Sequence, residues 1–276
     1  MLVRRASAIF VILAVLGGTT TAKEWTKLRL GTSADEPPSA SVQADGKLVG
    51  LEIDLAADIC KRMAVECEWV RQDFATLIPA LQQDKIDVLF MSLAITPKRQ
   101  EMIAFSTPFS APRQGLLVLK TSQLAASVGE GNIEMVKLDD SASAQPAIDT
   151  LAKALQGKVI GSDAGSSRIE MAQRYFPVLE LRTYPSPADA KRELLAGHID
   201  ADLASRGVLV TDDSSQLQRI GPWFIGGIFG PGSGVGLRKT DTQLKGKLDE
   251  AIKAALADGT IKNLYLQYYH NWSPPM

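Results

Sequence analysis

Ser92-Leu-Ala-Ile-Thr-Pro-Lys-Arg99 follows an apolar run, Ile86 to Leu93, that reads as a buried strand, and it brings hydroxyls, backbone amides and one guanidinium to that strand's end. An arginine is a rigid fork of donors that matches both oxygens of a carboxylate, and unpaired N–H groups at a strand-to-helix junction point the same way. The junction therefore reads as a carboxylate trap. The same letters also fit an ordinary helix start, with Thr96 as cap, Pro97 in the first turn and Arg99 as a solvated surface charge.

Compartment limits the chemistry available to such a trap. Arg4 and Arg5 precede an apolar run from Ala8 to Leu16, and Thr20-Thr21-Ala22 offers the small residues that a signal peptidase reads. An export signal over residues 1–22, cleaved after Ala22, is expected. The run is too short to span a bilayer, and no later segment approaches the length of a membrane helix. No cysteine stands at the cleavage site to carry a lipid, so a freely soluble chain outside the cytoplasm is expected.

Removing Arg4 and Arg5 from the 30 basic residues leaves 28 against 31 acidic ones, a formal charge of −3. Such a balance supplies no basic field for nucleic acid. The length exceeds one small core and suits two lobes. Cys60 and Cys67 are the only cysteines, and in an oxidising compartment a disulfide is their natural outcome. Metal binding is the poorer alternative, because Cys-x6-Cys is not a zinc spacing and His198 and His270 are the only histidines. Neither a metal nor a cofactor is expected, and the chain is expected to be a monomer.

Short β-like runs alternate with helical ones, the pattern of a mostly parallel sheet covered by helices. Leu28 to Thr32 reads as a strand, Leu55, Ile59 and Met63 as a helix, Cys67 and Trp69 as a strand, and Leu77 with Leu81 as a helix before Ile86 to Leu93. This unit ends near Ser110. A second begins at Gly115 to Leu119 and includes Val159 to Gly161, the helix of Ile169, Ala172 and Phe176, Leu179 to Tyr184, and Ile199 to Leu203. Ser186-Pro187-Ala188-Asp189 is a helix start whose helix stops at Gly197. Ala111-Pro112-Arg113-Gln114 and the glycine-rich Ile225 to Gly234 read as two crossings between the units. Leu244, Leu248 and Ile252 mark a helix closed at Gly259, and another runs through Leu264 and Tyr268. Residues 121–153 lack a clear pattern and are expected to form a surface insertion.

From about Lys27 to Tyr269 the chain resembles the family 3 extracellular solute-binding proteins of polar amino-acid ABC importers. The likeness rests on Gly50-Leu-Glu-Ile-Asp-Leu55, Cys60-Lys-Arg-Met63 through Cys67-Glu-Trp69, Phe74-Ala-Thr-Leu-Ile-Pro79, Arg99 through Ala104-Phe-Ser106, and Gly234-Val-Gly-Leu-Arg-Lys239. These resemble the lysine/arginine/ornithine-binding branch, which also carries a disulfide at the matching place. The resemblance implies an α/β, two-lobed periplasmic binding protein type II fold with two hinge strands. Lobe 1 would comprise 23–111 and 231–276, and lobe 2 would comprise 112–230 with an insertion near 122–156. It also implies a periplasmic location, a small-molecule amino-acid ligand and an ABC permease in the inner membrane as partner.

By the family pattern Arg99 would grip the ligand α-carboxylate, with Ser92 and the Ala94 amide beside it. Phe74 would pack on the ligand side chain, and Gly165-Ser166-Ser167 would complete the carboxylate cage from the second lobe. Contacts that need both lobes together would drive closure. Where amino-acid binders carry an acid for the α-amino group, the strand Asp200-Ala-Asp-Leu-Ala-Ser205 presents Ser205; Ser33 and Glu36 likewise replace an upstream acid and a clamping aromatic. A buried ammonium without a counter-ion is costly, so a standard lysine or arginine binder is not expected.

The nopaline- and octopine-binding branch resembles the chain better. It shares an insertion matching Ser122 to Gln156, the runs Ile220-Gly-Pro222 and Gly226-Gly-Ile-Phe-Gly230, and a serine where Ser205 stands. An opine is an amino acid whose amine is alkylated by a keto acid, which adds a carboxylate. Arg168 is the candidate holder of that second carboxylate, and Glu36, Asp35 and Asp163 are candidates for a cationic tail. Each acid also reads as a solvated rim charge. Two other classes share the fold: periplasmic cyclohexadienyl-dehydratase-like enzymes, for which Glu36 or Asp163 would be the general acid, and sensory modules that present a closed form to a receptor. No nucleophile-and-base constellation accompanies the acids, so catalysis is not expected.

Overall fold

Leu28 and Leu30 alternate with polar residues along Lys27–Thr32, and both are fully buried, so this strand has an apolar inner face. The computed structural model describes residues 25–111, 113–131, 134–177, 180–210, 212–270, 272 and 274–276. The expected signal with its cleavage after Ala22, the hinge residue Pro112, and Leu179 at the start of one expected strand lie outside them. Lys27–Thr32 lies between Glu66–Arg71 and Val88–Ala94, parallel to both; Ser233–Leu237 returns antiparallel beside Val88–Ala94, and Ala104–Phe105 forms the far edge. Helices Leu51–Met63 and Thr242–Ala257 bury Leu55, Ile59, Leu244, Leu248 and Ile252 against Leu28, Leu30 and Val88, while Leu77 and Leu81 of Phe74–Gln82 cluster with Ile86 and Leu89. A Cys60–Cys67 disulfide ties the helix Leu51–Met63 to the edge strand Glu66–Arg71.

The second sheet has six strands, in the order Glu180–Tyr184, Val159–Asp163, Ala201–Ser205, Gln114–Leu119, Leu217–Ile225 and Met135–Lys137. The segment expected on the surface, residues 121–153, belongs instead to this sheet's core. Met135–Lys137 pairs parallel with Trp223 to Ile225, and helix Ser141–Ala154 turns Ala144, Ile148 and Leu151 onto Ile220 and Phe224, with Leu155 buried just beyond its end. The spacing of those residues is helical, but small side chains and the interior Pro146 weaken the pattern in the sequence.

The chain leaves the first sheet after Ser110 and enters the second at Gln114, and it returns between Ile225 and Ser233. The crossings touch: the Ser233 amide donates to the Ser110 carbonyl at 2.7 Å. The glycine-rich run is required by close approach as well as by turning. Gly230 and Gly232 both have positive φ, and a Cβ would fall 1.9 Å from the Ile95 carbonyl oxygen or 2.3 Å from that of Ser110. A larger residue at Gly232 would push the two crossings apart, and one at Gly230 would push its crossing off the Ile95 strand end.

Candidate ligand-binding site

The strand Val88–Ala94 ends at the cleft between the sheets, and helix Pro97–Met102 starts at once, with Thr96 Oγ1 accepting from the Arg99 amide at 3.2 Å. The ordinary-cap reading is thus correct for Thr96, but Arg99 is not a solvated charge: it is only 8% exposed. Its Nη1 donates to the Ala94 carbonyl at 3.0 Å and its Nη2 reaches across to the Gly165 carbonyl at 3.3 Å. The guanidinium carbon stands 5.7 Å from the centroid of the Phe74 ring. Among the described residues no carboxylate pairs with Arg99. Burial, helped by the positive charge of Arg168, pushes its pKa down to about 10. Beside it, the Ser92 amide donates to Glu52 Oε1 at 2.7 Å, leaving the Ser92 hydroxyl at the cavity wall.

From the second sheet, Val159–Asp163 leads through Gly165 and Ser166 into helix Ser167–Tyr175. Arg168 in its first turn is as buried as Arg99, yet it has an acid partner. Its Nε and Nη2 donate to Asp163 Oδ1 and its Nη1 donates to Gln114 Oε1 at 3.0 Å. Burial works against its charge, but Asp163 and then Glu36 outweigh that and hold its pKa above the ordinary value. Both Arg168 contacts to the Asp163 carboxylate fall on Oδ1, and Arg168 and Asp163 both line the cleft.

The acid missing at Ser205 arrives from the other lobe. The Ser205 hydroxyl donates to Glu36 Oε1 at 2.6 Å, and the Ser33 hydroxyl donates to Asp35 Oδ1 at 2.6 Å. Two carboxyl groups thus stand on the cleft beside Ser205 and Ser33. Burial raises the pKa of Glu36, with Arg168 opposing and Asp163 and Asp35 adding; burial likewise raises that of Asp35 against the Ser33 hydrogen bond.

These residues surround two adjoining chambers. One gathers Arg99, Phe74, Ser92, Ala94, Asp35, Asp163, Ser166 and Ser167. The other holds Ser205 with Gln114, Arg206, Tyr265 and Tyr269. Glu36, Ser92, Gln114 and Arg168 line both, so the chambers meet there. Gln114, Arg206 and the tyrosines escaped sequence reasoning; the four-residue spacing of Tyr265 and Tyr269 was the one available signal. Among the described residues no group of acids, histidines and cysteines is placed to hold a metal ion, and no helix is long and apolar enough to cross a membrane.

The model of the bacterial extracellular solute-binding proteins, family 3, matches residues 28–271. The chain belongs to that family. It is 32% identical to the octopine-binding periplasmic protein of Rhizobium meliloti over 96% of this chain and 97% of that one. It is also 32% identical to the lysine/arginine/ornithine-binding periplasmic protein of Escherichia coli (strain K12), over 95% and 96%. Among solved structures, an ancestral arginine-binding protein bound to arginine matches with a TM-score of 0.70 at 26% identity, covering 88% of this chain and 98% of that one. The expected two-lobed α/β fold of the family is thus the fold of this chain, and the relatives named are periplasmic binding proteins rather than enzymes.

Proposed function

We propose that this chain is the periplasmic ligand-binding component of an ABC importer for a cationic amino acid or an opine-like derivative. One observation carries the reading: a buried Arg99 fork without a carboxylate partner among the described residues faces a pair of acids, Asp35 and Glu36, across one cleft. The α-carboxylate lies on Arg99, flanked by the Ser92 hydroxyl, the Ala94 strand end and the Gly165-Ser166-Ser167 turn. The amine lies on Glu36 beside Ser205, a cationic tail reaches Asp35, and Phe74 packs on the ligand. Names of relatives that bind octopine and lysine, arginine or ornithine support both ligand classes.

Binding draws the lobes together because a ligand held by Arg99, Glu36 and Asp35 of one lobe also meets Ser205 and the Gly165-Ser166-Ser167 turn of the other, and the closed form is what an inner-membrane permease receives. The chain acts as a monomer after loss of residues 1–22 at Ala22, and no catalytic step is involved. The test is isothermal titration with arginine, lysine, ornithine, octopine and nopaline, alongside incubation with prephenate and arogenate. Saturable binding of at least one of the five without turnover of either cyclic acid supports the reading. Turnover, or the absence of any binding, overturns it. Because burial raises the pKa of Glu36 and of Asp35, affinity for a cation should weaken as pH falls and these carboxylates take up protons.

A further inference from the structure

The second chamber lies between Ser205-Arg206-Gly207 of one lobe and the helix Thr260–Tyr269 of the other. Its tyrosine wall is built rather than incidental. The rings of Tyr265 and Tyr269 stack at 5.7 Å, the Tyr265 hydroxyl donates to Ser110 Oγ at 2.7 Å, and the Tyr269 hydroxyl meets that of Ser39. Gly207 lies so close to Tyr269 that a Cβ there would stand 2.8 Å from the ring, which brings the Arg206 backbone tight against that wall. The Arg206 amide is held by the Arg113 carbonyl at 2.9 Å.

The Arg206 guanidinium is half-buried on this chamber and, among the described residues, makes neither a hydrogen bond nor an ion pair. The charges that act on it are two further arginines, Arg113 and Arg219, against Glu134, whose carboxylate already pairs with Arg113 at 2.6 Å. Burial and then Arg113 lower its pKa, which marks a cation short of negative charge. From one chamber to the next the groups therefore run cation, anion, cation: Arg99, Glu36 at the junction, Arg206. The complement of that series is a carboxylate, an ammonium and a second carboxylate in one molecule.

We propose that Arg206 is the receptor for the second carboxylate of an N-carboxyalkyl amino acid whose first carboxylate lies on Arg99 and whose secondary ammonium lies on Glu36. The proposal rests on the binding function above and extends it to residues of the second chamber. Arg113, on the same wall, adds to the positive field, and the stacked tyrosines flank the alkyl arm. Arg168 also lines this chamber, but its charge is already met by Asp163, whereas that of Arg206 has no acid partner among the described residues. A free amino acid leaves this chamber to water, so Arg206 discriminates between the two classes.

Titration calorimetry of the full mature chain with octopine, which is N-(1-carboxyethyl)arginine, and with arginine tests this on the wild type, R206Q, R206K and R99A. R206Q should weaken octopine about tenfold more than it weakens arginine, the loss of one charge-assisted contact, and R206K should recover part of that difference. Equal losses for both ligands, or no loss for octopine, would overturn the assignment, as would a wild type that binds arginine but not octopine. If R206Q discriminates while R99A retains both ligands, the fault lies with the Arg99 reading and the second-carboxylate site stands.

Discussion

Two buried arginines face the same cleft from opposite lobes, each 8% exposed, and the protein treats them differently. Arg168 is neutralised by Asp163 and braced by Gln114; Arg99 has only carbonyl oxygens and the face of Phe74. The first arrangement is structural, since an ion pair inside a lobe is complete without anything bound. The second offsets its desolvation only with carbonyl dipoles and a ring face, which leaves the charge itself for an anion to meet. The difference teaches that burial alone does not mark a binding residue. What marks it is burial without a partner of opposite charge.

The sharpest way to break the comparison is Arg99→Ala. It should lower ligand affinity by at least about 1,000-fold, roughly 4 kcal/mol, because a buried bidentate charge pair is lost, while the melting temperature of the ligand-free protein stays nearly unchanged. Calorimetry and thermal unfolding of the same sample check both halves. Arg168→Met should do the reverse in stability, costing roughly 3 to 4 kcal/mol by leaving Asp163 buried without its partner. Denaturant unfolding should show most of that loss recovered when Asp163→Asn is added; an R168M protein as stable as wild type would erase the distinction between the two arginines.

A third buried charge sharpens it further. Glu52, 4% exposed, accepts from the Ser92 amide, and burial raises its pKa from 4.5 to about 7. The unfolded chain gives up this proton first, so the folded state binds more protons between those values and loses stability as pH rises through them. Glu52→Gln should remove the Glu52 share of that trend, leaving the share of Asp202, which burial raises from 3.8 to about 8, and gain at most about 3 kcal/mol on wild type above pH 7, read from unfolding curves across the window. Last, Cys60→Ser with Cys67→Ser opens a loop remote from both arginines. It should cost about 2 to 3 kcal/mol in stability on the chain-entropy account and leave ligand affinity unaltered.

Much of the fold was legible because its strands are short apolar runs and its helices carry caps. Ser186 accepts from the Asp189 amide at 3.1 Å at the expected start of Pro187–Leu195, and Leu244, Leu248 and Ile252 lie on the buried face of Thr242–Ala257. Residues 121–153 were not legible in this way, since alanines and a proline mask the helical period and only contact with Ile220 and Phe224 makes that face a core. In the cleft, Arg99 could be found from its own neighbourhood, a strand end followed by a helix cap.

The alternating α/β pattern, the junction that carries Arg99 and the pairing available to its two cysteines follow from residue order, because each depends on neighbours a few residues away. Which charges are satisfied follows from folding in three dimensions. Glu36 meets Ser205 across 169 positions of chain and Arg168 meets Gln114 across 54, so whether a fork or a carboxylate is engaged or left for a ligand depends on contacts that local patterns do not encode. Desolvation and Coulomb interactions act through space, and the chain order of the groups has no bearing on their strength.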